Sequence, residues 1–285
     1  MQYSTFAAID IGSYDVILEI FEISKKQGIR SVDKICHRME LGKDTYTLGK
    51  IRPEMEEELC RVLADFVRIM EGYRVDDYRA TASSAISEAS NSLYVLGKIH
   101  QLTGLSVTVL SNSEQRFLSY KALAAMEDNF NKIIEKGTAI LDLDGGSFQI
   151  SLFDKDALVT TQNIRMGSLR IRERLAGIQS ETEHYEEMVE ELIWNEVSSF
   201  KKMYLKDRKI ENIMLIGDVF TDSVYQNIEE KTTKIISREN FNTWYEKIIR
   251  QSPMELAVKL GIPLENASLM YPDRKSTRLN SSHLT

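Results

Sequence analysis

Apolar and polar residues alternate through Phe6–Glu22, and the same pattern returns roughly 130 residues later in Thr138–Asp154. Each copy is a short apolar run ending in Asp, then a turn rich in Gly and Ser, then a second alternating apolar run. That pattern predicts strand, tight turn and strand, written twice. Either copy alone also suits a surface hairpin that uses Asp, Gly and Ser as turn formers; two copies in register favour an internal duplication. The run Ile29–Met39 extends the first hairpin and Leu158–Ile164 the second. The stretch Leu41–Ile51 reads as a polar loop. A helix is predicted from Pro53, where Pro in the first turn and the acids Glu54, Glu56, Glu57 and Glu58 suit a helix N-terminus. Its core face carries Leu59, Val62, Leu63, Phe66, Val67 and Met70. Tyr78–Ser92 reads as a strand edge, a small-residue turn and a helix start, Leu105–Ser111 as a strand, and Asn112–Met126 as a helix capped by Ser113. Further on, the pattern predicts a helical segment after Gly167, a long helix from about His184 to Tyr204, a strand Asn212–Ile216, and helices Arg238–Arg250 and Pro253–Leu260. Strands alternate with helices in both halves, so the class is α/β.

A chain of 285 residues has room for two domains, and 42 % hydrophobic with 28 % charged residues is a globular balance. The formal charge of −7, with no block of Lys and Arg, argues against general nucleic-acid binding. No apolar run has the length of a membrane span, and the N-terminus lacks a leader pattern, so the expected location is cytoplasmic. Cys36 and Cys60 read as small buried or half-buried thiols. His37, His100, His184 and His283 show no zinc-site spacing. Trp194 and Trp244 fall on apolar helix faces and are expected as core or interface anchors. From Arg274 the chain is polar and aperiodic, and residues 274–285 read as a non-native tail.

Laid in order, the two hairpins, Ala85-ISEASN, Ser111-NSEQ, Arg165-MGSLR and Leu260-GIPLENA resemble the exopolyphosphatase/guanosine pentaphosphate phosphohydrolase (Ppx/GppA) family over roughly residues 5–272. The resemblance implies two duplicated actin-like, ribonuclease H-like domains with mixed five-stranded sheets flanked by helices and a cleft between them. The expected boundaries are 1–125 and 126–273, the second domain lacking its last strand and helix. The implied activity is hydrolysis of a terminal phosphoanhydride in polyphosphate or pppGpp, with Mg²⁺ and a water nucleophile, and the family implies a homodimer. Asp10 and Asp142 would face each other across the cleft. With Asp144, they are the candidate metal ligands. Gly12, Ser13, Gly145, Gly146 and Ser147 are the candidate phosphate-binding positions, with Arg38 as a candidate cation. Lys43, Lys50, Arg165 and Arg170 are further cations near the loops.

The departures from the family pattern carry as much information as the matches. The family helix opening S-G-x-E-E-A-R places Gln115 at the water-activating glutamate and Glu114 one residue before it. The second hairpin places Gln149 at the second carboxylate and Asp144 at a glycine. Ser87 stands where a phosphate-binding Arg is usual, and Asp218 enters the turn after Ile216. Gln cannot take a proton from water. Two readings therefore stand: a phosphohydrolase in which Glu114 or Asp144 takes over water activation, and a catalytically degenerate relative that binds a phosphorylated ligand or a protein partner.

Overall fold

The computed structural model describes residues 3–126, 129–176, 185–205, 208–217, 237–249 and 251–260, together with Leu264 and Ala267. The chain divides into two compact units, Met1–Lys121 and Ala122–Thr285. In the first, β1 (Ser4–Ile11), β2 (Asp15–Ser24), β3 (Gly28–Arg38), β4 (Asp77–Ala82) and β5 (Val107–Val109) form one sheet in the order β3-β2-β1-β4-β5. The hairpin strands run antiparallel, while β1–β4 and β4–β5 run parallel. In the second unit, β6 (Thr138–Leu143), β7 (Phe148–Asp154), β8 (Ala157–Ile164) and β9 (Asn212–Gly217) take the order β8-β7-β6-β9. The same orientations recur strand for strand. That shared topology is the duplication foreshadowed by the repeated hairpin. The second sheet has four strands among the described residues, one short of the five expected.

Period-two alternation builds each hairpin. On β1 and β2, Ala7, Ile9, Ile11, Val16, Leu18 and Ile20 turn inward to a core completed by Leu59, Leu63 and Phe66. These last three belong to α2 (Pro53–Gly72), whose Pro occupies the first turn as predicted. Burying each such side chain is worth about 1.5–3 kcal/mol, so this helix face is a main tie between sheet and helix layer. In the second unit, β6 and β7 are buried on nearly every residue, the signature of strands covered on both faces. Val189, Ile193 and Val197 of α8 (Tyr185–Phe200), spaced one turn apart, pack into that core with Tyr245 and Leu256.

Several expectations need correction. Leu41–Leu48 is a helix, α1, not a loop. Its buried face includes Asp44 and Thr45, so apolar periodicity could not reveal it. Asp44 accepts hydrogen bonds from Arg52 N and Nε at 2.9 Å each. Thr45 Oγ1 donates to the Ala85 carbonyl at 2.7 Å. Two helices follow β4: α3 (Ser84–Ser87) and α4 (Ser92–Thr103). Strand β5 is only three residues long. Trp244 is buried as expected, whereas Trp194 is 38 % exposed. Cys60 is buried, but Cys36 is exposed. The remaining helices are α5 (Asn112–Met126), α6 (Phe130–Ile134), α7 (Ser168–Leu175), α9 (Arg238–Ile249) and α10 (Pro253–Leu260), and α8 runs into a π-helical turn, Lys201–Leu205. No described helix is long and apolar enough to cross a membrane. His184, Asp218, Arg250, the tail 274–285 and the strand and helix held to be missing from the second domain lie outside the described residues.

Candidate functional site

Asp10 lies one residue before the end of β1, opposite Ile17 on β2 and Thr81 on β4. Its outer edge meets solvent, yet its surroundings are crowded. Desolvation, reinforced by the Asp15 carboxylate, raises its pKa from 3.8 to about 6. Thr81 Oγ1, donating to Asp10 Oδ1 at 3.3 Å, opposes that rise. The turn that follows is closed by Gly12 N donating to the Asp15 carbonyl at 2.9 Å. A Cβ on Gly12 would sit 3.0 Å from that carbonyl oxygen, which is why the position takes the smallest residue.

Ser13 is fully buried, and its hydroxyl faces inward. Its Oγ lies 2.7 Å from Tyr46 Oη and 3.2 Å from Ser84 Oγ, and the latter two are 2.9 Å apart. The Ser13 carbonyl accepts from Gly42 N at 2.8 Å. Helix α1 therefore grips the first hairpin from below through both main chain and side chain. Arg38 stacks over the Tyr14 ring at 3.9 Å. Cys36 Sγ donates to Asp15 Oδ2 at 3.4 Å, and desolvation together with that carboxylate pushes the thiol up to about 11. A thiol held protonated at neutral pH is no nucleophile.

At the start of α5 the cap is Ser111 rather than Ser113. Glu114 Oε2 accepts from Ser111 N at 2.9 Å and from its hydroxyl at 2.7 Å, while Glu114 N donates back to Ser111 Oγ at 3.3 Å. This is a reciprocal capping box. These hydrogen bonds hold the Glu114 carboxyl below its ordinary 4.5. Gln115, at the family glutamate position, is half-buried. Ser87, where an Arg is usual, is exposed, and its hydroxyl donates to the Ser84 carbonyl at 3.4 Å.

In the second unit Asp142 and Gln149 are direct cross-strand partners on β6 and β7. Asp142 is half-buried. Gln149 is 4 % exposed, and its Oε1 is sealed from solvent with no hydrogen-bond partner among the described residues. The loop between the strands is tightly held. Asp144 N donates to the Ser147 carbonyl at 3.0 Å, and Gly145 N donates to Asp144 Oδ1 at 2.6 Å. The expected phosphate-binding amide of Gly145 is thus taken by the carboxylate beside it. From α7, Arg170 N donates to the Gly145 carbonyl at 3.1 Å and Arg170 Nε to the Gly146 carbonyl at 2.9 Å. Gly167, the residue before α7, packs so closely that a Cβ there would lie 2.2 Å from the Asp144 carbonyl oxygen. Arg170, singled out as a cation near the loop, spends these donors on loop carbonyls. Arg165, Lys43 and Lys50 are exposed. No group of three or more His, Cys, Asp or Glu side chains is placed to hold a metal among the described residues.

Two sheets of one topology, each opening on a hairpin whose first strand carries an Asp just before a small-residue turn, define the duplicated actin-like α/β class. Residues 19–261 match the Ppx/GppA phosphatase family, and the chain belongs to that family. It is 22 % identical over 238 residues to the bifunctional 3-dehydroquinate synthase/phosphatase of Fusobacterium nucleatum, covering 79 % of this chain and 34 % of that protein. It is 25 % identical over 144 residues to exopolyphosphatase 1 of Mycobacterium leprae, covering 50 % of this chain and 41 % of that one. The chain thus spans well under half the length of these curated relatives. The crystal structure of the Aquifex aeolicus Ppx/GppA family member shares the fold, with a TM-score of 0.75 at 18 % identity over 99 % of this chain and 91 % of that one.

Proposed function

We propose that this chain binds the terminal phosphates of polyphosphate or pppGpp and hydrolyses the end anhydride with Mg²⁺ and water. One observation carries the reading. The carboxylate-ended hairpin is built twice at matching register, Asp10 opposite Ile17 and Asp142 opposite Gln149, and a carboxylate beside a small-residue turn suits a metal-bound phosphate chain. Membership of a phosphatase family and the likeness to an exopolyphosphatase support it.

The donors present fit Mg²⁺, which takes one or two carboxylates and keeps several waters. Asp142 supplies a carboxylate and Gln149 a sealed amide oxygen with no hydrogen-bond partner among the described residues. When bound, the ion would neutralise phosphate oxygens. Gln115 and Gln149 can orient water but cannot take its proton. Losing a general base costs ~10²- to 10⁴-fold in rate, so turnover is slow.

A second reading, a ligand-binding relative without turnover, is favoured by the Glu114 capping box, which ties up the acid nearest Gln115. Phosphate release from long-chain polyphosphate and pppGpp with Mg²⁺, beside the Gln115→Glu/Gln149→Glu double variant, separates the two. Slow release that rises at least ~100-fold in the double variant supports the hydrolase reading. Silence in the native protein, with tight polyphosphate binding, supports the binder. Absence of both binding and release overturns each.

A further inference from the structure

Three consecutive carbonyls of the second loop, those of Asp144, Gly145 and Gly146, face the start of α7. A Cβ on Gly167 would lie 2.2 Å from the Asp144 carbonyl oxygen and 2.5 Å from that of Gly145. Arg170 N donates to the Gly145 carbonyl at 3.1 Å, and Arg170 Nε donates to the Gly146 carbonyl at 2.9 Å. No described peptide bond is cis, and a planar trans peptide directs the N–H of the next residue away from its C=O. The amides of Gly145, Gly146 and Ser147 therefore all turn from α7 toward the opposite side of the loop. Asp144 Oδ1 takes the first of them at 2.6 Å. The other two meet no acceptor among the described residues. Successive main-chain N–H groups aimed one way form a concavity that suits an anion. One residue aims both: the Arg170 main chain fixes the peptide that carries Gly146 N–H, and the Arg170 side chain fixes the one that carries Ser147 N–H.

We infer that Arg170 is a positioning residue for phosphate recognition, acting through the loop rather than by touching the ligand, with the Ser147 amide under the control of its guanidinium. The inference rests on the proposed phosphate binding at this loop and adds the group that orients it. A charged Nε–H is a stronger donor than a neutral one, and a carbonyl so held resists the peptide flip that would turn Ser147 N–H away from the anion. In the first unit the Ser13 carbonyl is met by a main-chain donor, Gly42 N at 2.8 Å, so this guanidinium grip belongs to the second loop. Lysine is no substitute, since it carries a methylene where arginine carries Nε.

The test is a pyrophosphate titration of the full isotope-labelled chain with Mg²⁺, following the Gly146 and Ser147 amides by nuclear magnetic resonance beside the overall affinity. Both resonances shift in the unsubstituted protein. In Arg170→Met the Gly146 shift persists, because a main-chain donor still holds its peptide. The Ser147 shift is lost, and affinity falls at least about tenfold. Arg170→Lys, which keeps the charge, behaves as Arg170→Met. Thermal melts show whether each variant is folded, and Arg170→Lys carries the test if Arg170→Met is not. A Ser147 shift unchanged in both variants overturns the inference and leaves phosphate binding at the loop standing. Affinity restored in Arg170→Lys also overturns it, because Arg170 is then a cation in contact with phosphate. If neither amide of the unsubstituted protein moves, phosphate does not meet this loop, and the inference falls with that reading.

Discussion

Glu114 and Ser111 close a ring at the start of α5, each side chain meeting the other residue's main-chain N–H. The ring spends the Glu114 carboxylate on helix capping. Ser111→Ala should cost about 1 kcal/mol of stability, the usual worth of such a cap. The pH dependence has a defined sign. A carboxyl held below 4.5 contributes stability that is present above that value and lost as pH falls through its depressed folded-state pKa. The melting difference between Ser111→Ala and the parent should therefore shrink at low pH. The matching box at Ser252 and Glu255 should respond in the same way to Ser252→Ala. A difference independent of pH would remove the carboxylate from the account.

Asp10 has the opposite sign. Its pKa rises from 3.8 to about 6 on folding, so its charge opposes the fold above pH 6 and is neutral in both states well below 3.8. The full shift would correspond to about 3 kcal/mol; with the carboxylate open to water, screening leaves roughly 1 kcal/mol. In EDTA, Asp10→Asn should melt higher than the parent at pH 7.5 and equal to it at pH 3. A lower melting temperature at both pH values would show that Asp10 is structural.

Gly167→Ala forces a Cβ into the Asp144 carbonyl. The resulting shift of the loop should cost about 1–3 kcal/mol and weaken polyphosphate binding with it. Gly137→Ala meets the Lys209 carbonyl at 2.1 Å and serves as a control. It should lower stability by a similar amount and leave binding intact. Equal loss of binding in both variants would mean that general destabilisation, rather than loop position, is being measured.

Asp144→Gly frees the Gly145 N–H, now held by the Asp144 carboxylate at 2.6 Å. One charge-assisted hydrogen bond is worth about 1.5–3 kcal/mol, so calorimetry should show polyphosphate binding at least about tenfold tighter. Asp144→Asn, which removes the charge but keeps an acceptor, should fall between the two. Unchanged affinity in both would place the anion away from this loop.

Both hairpins and α2 were legible in the sequence because their apolar spacing is local and strict. The duplication was legible because two copies agreed. Helix α1 was hidden because its buried face carries Asp44 and Thr45, whose partners Arg52 and Ala85 are supplied by later segments. The Ser111 cap was readable, since Ser-x-x-Glu is the signature of a capping box, whereas Ser113, expected as the cap, lies inside the helix. The inward turn of the Ser13 side chain was invisible, because it depends on Tyr46 and Ser84 arriving from two other elements.

The three hydroxyls of Ser13, Tyr46 and Ser84 form three mutual contacts, and between them they own three protons. When every contact is a hydrogen bond, every proton is consumed, and the protons can circulate around the triangle in only two senses. Such a ring can still accept but has nothing left to give. An oxyanion, which can only accept, finds no partner there unless the ring opens, at a cost of about 1 kcal/mol. Beneath a turn that resembles a phosphate loop, these hydroxyls hold α1 and α3 to the strand pair, and an anion that takes one of their protons must break one of those contacts.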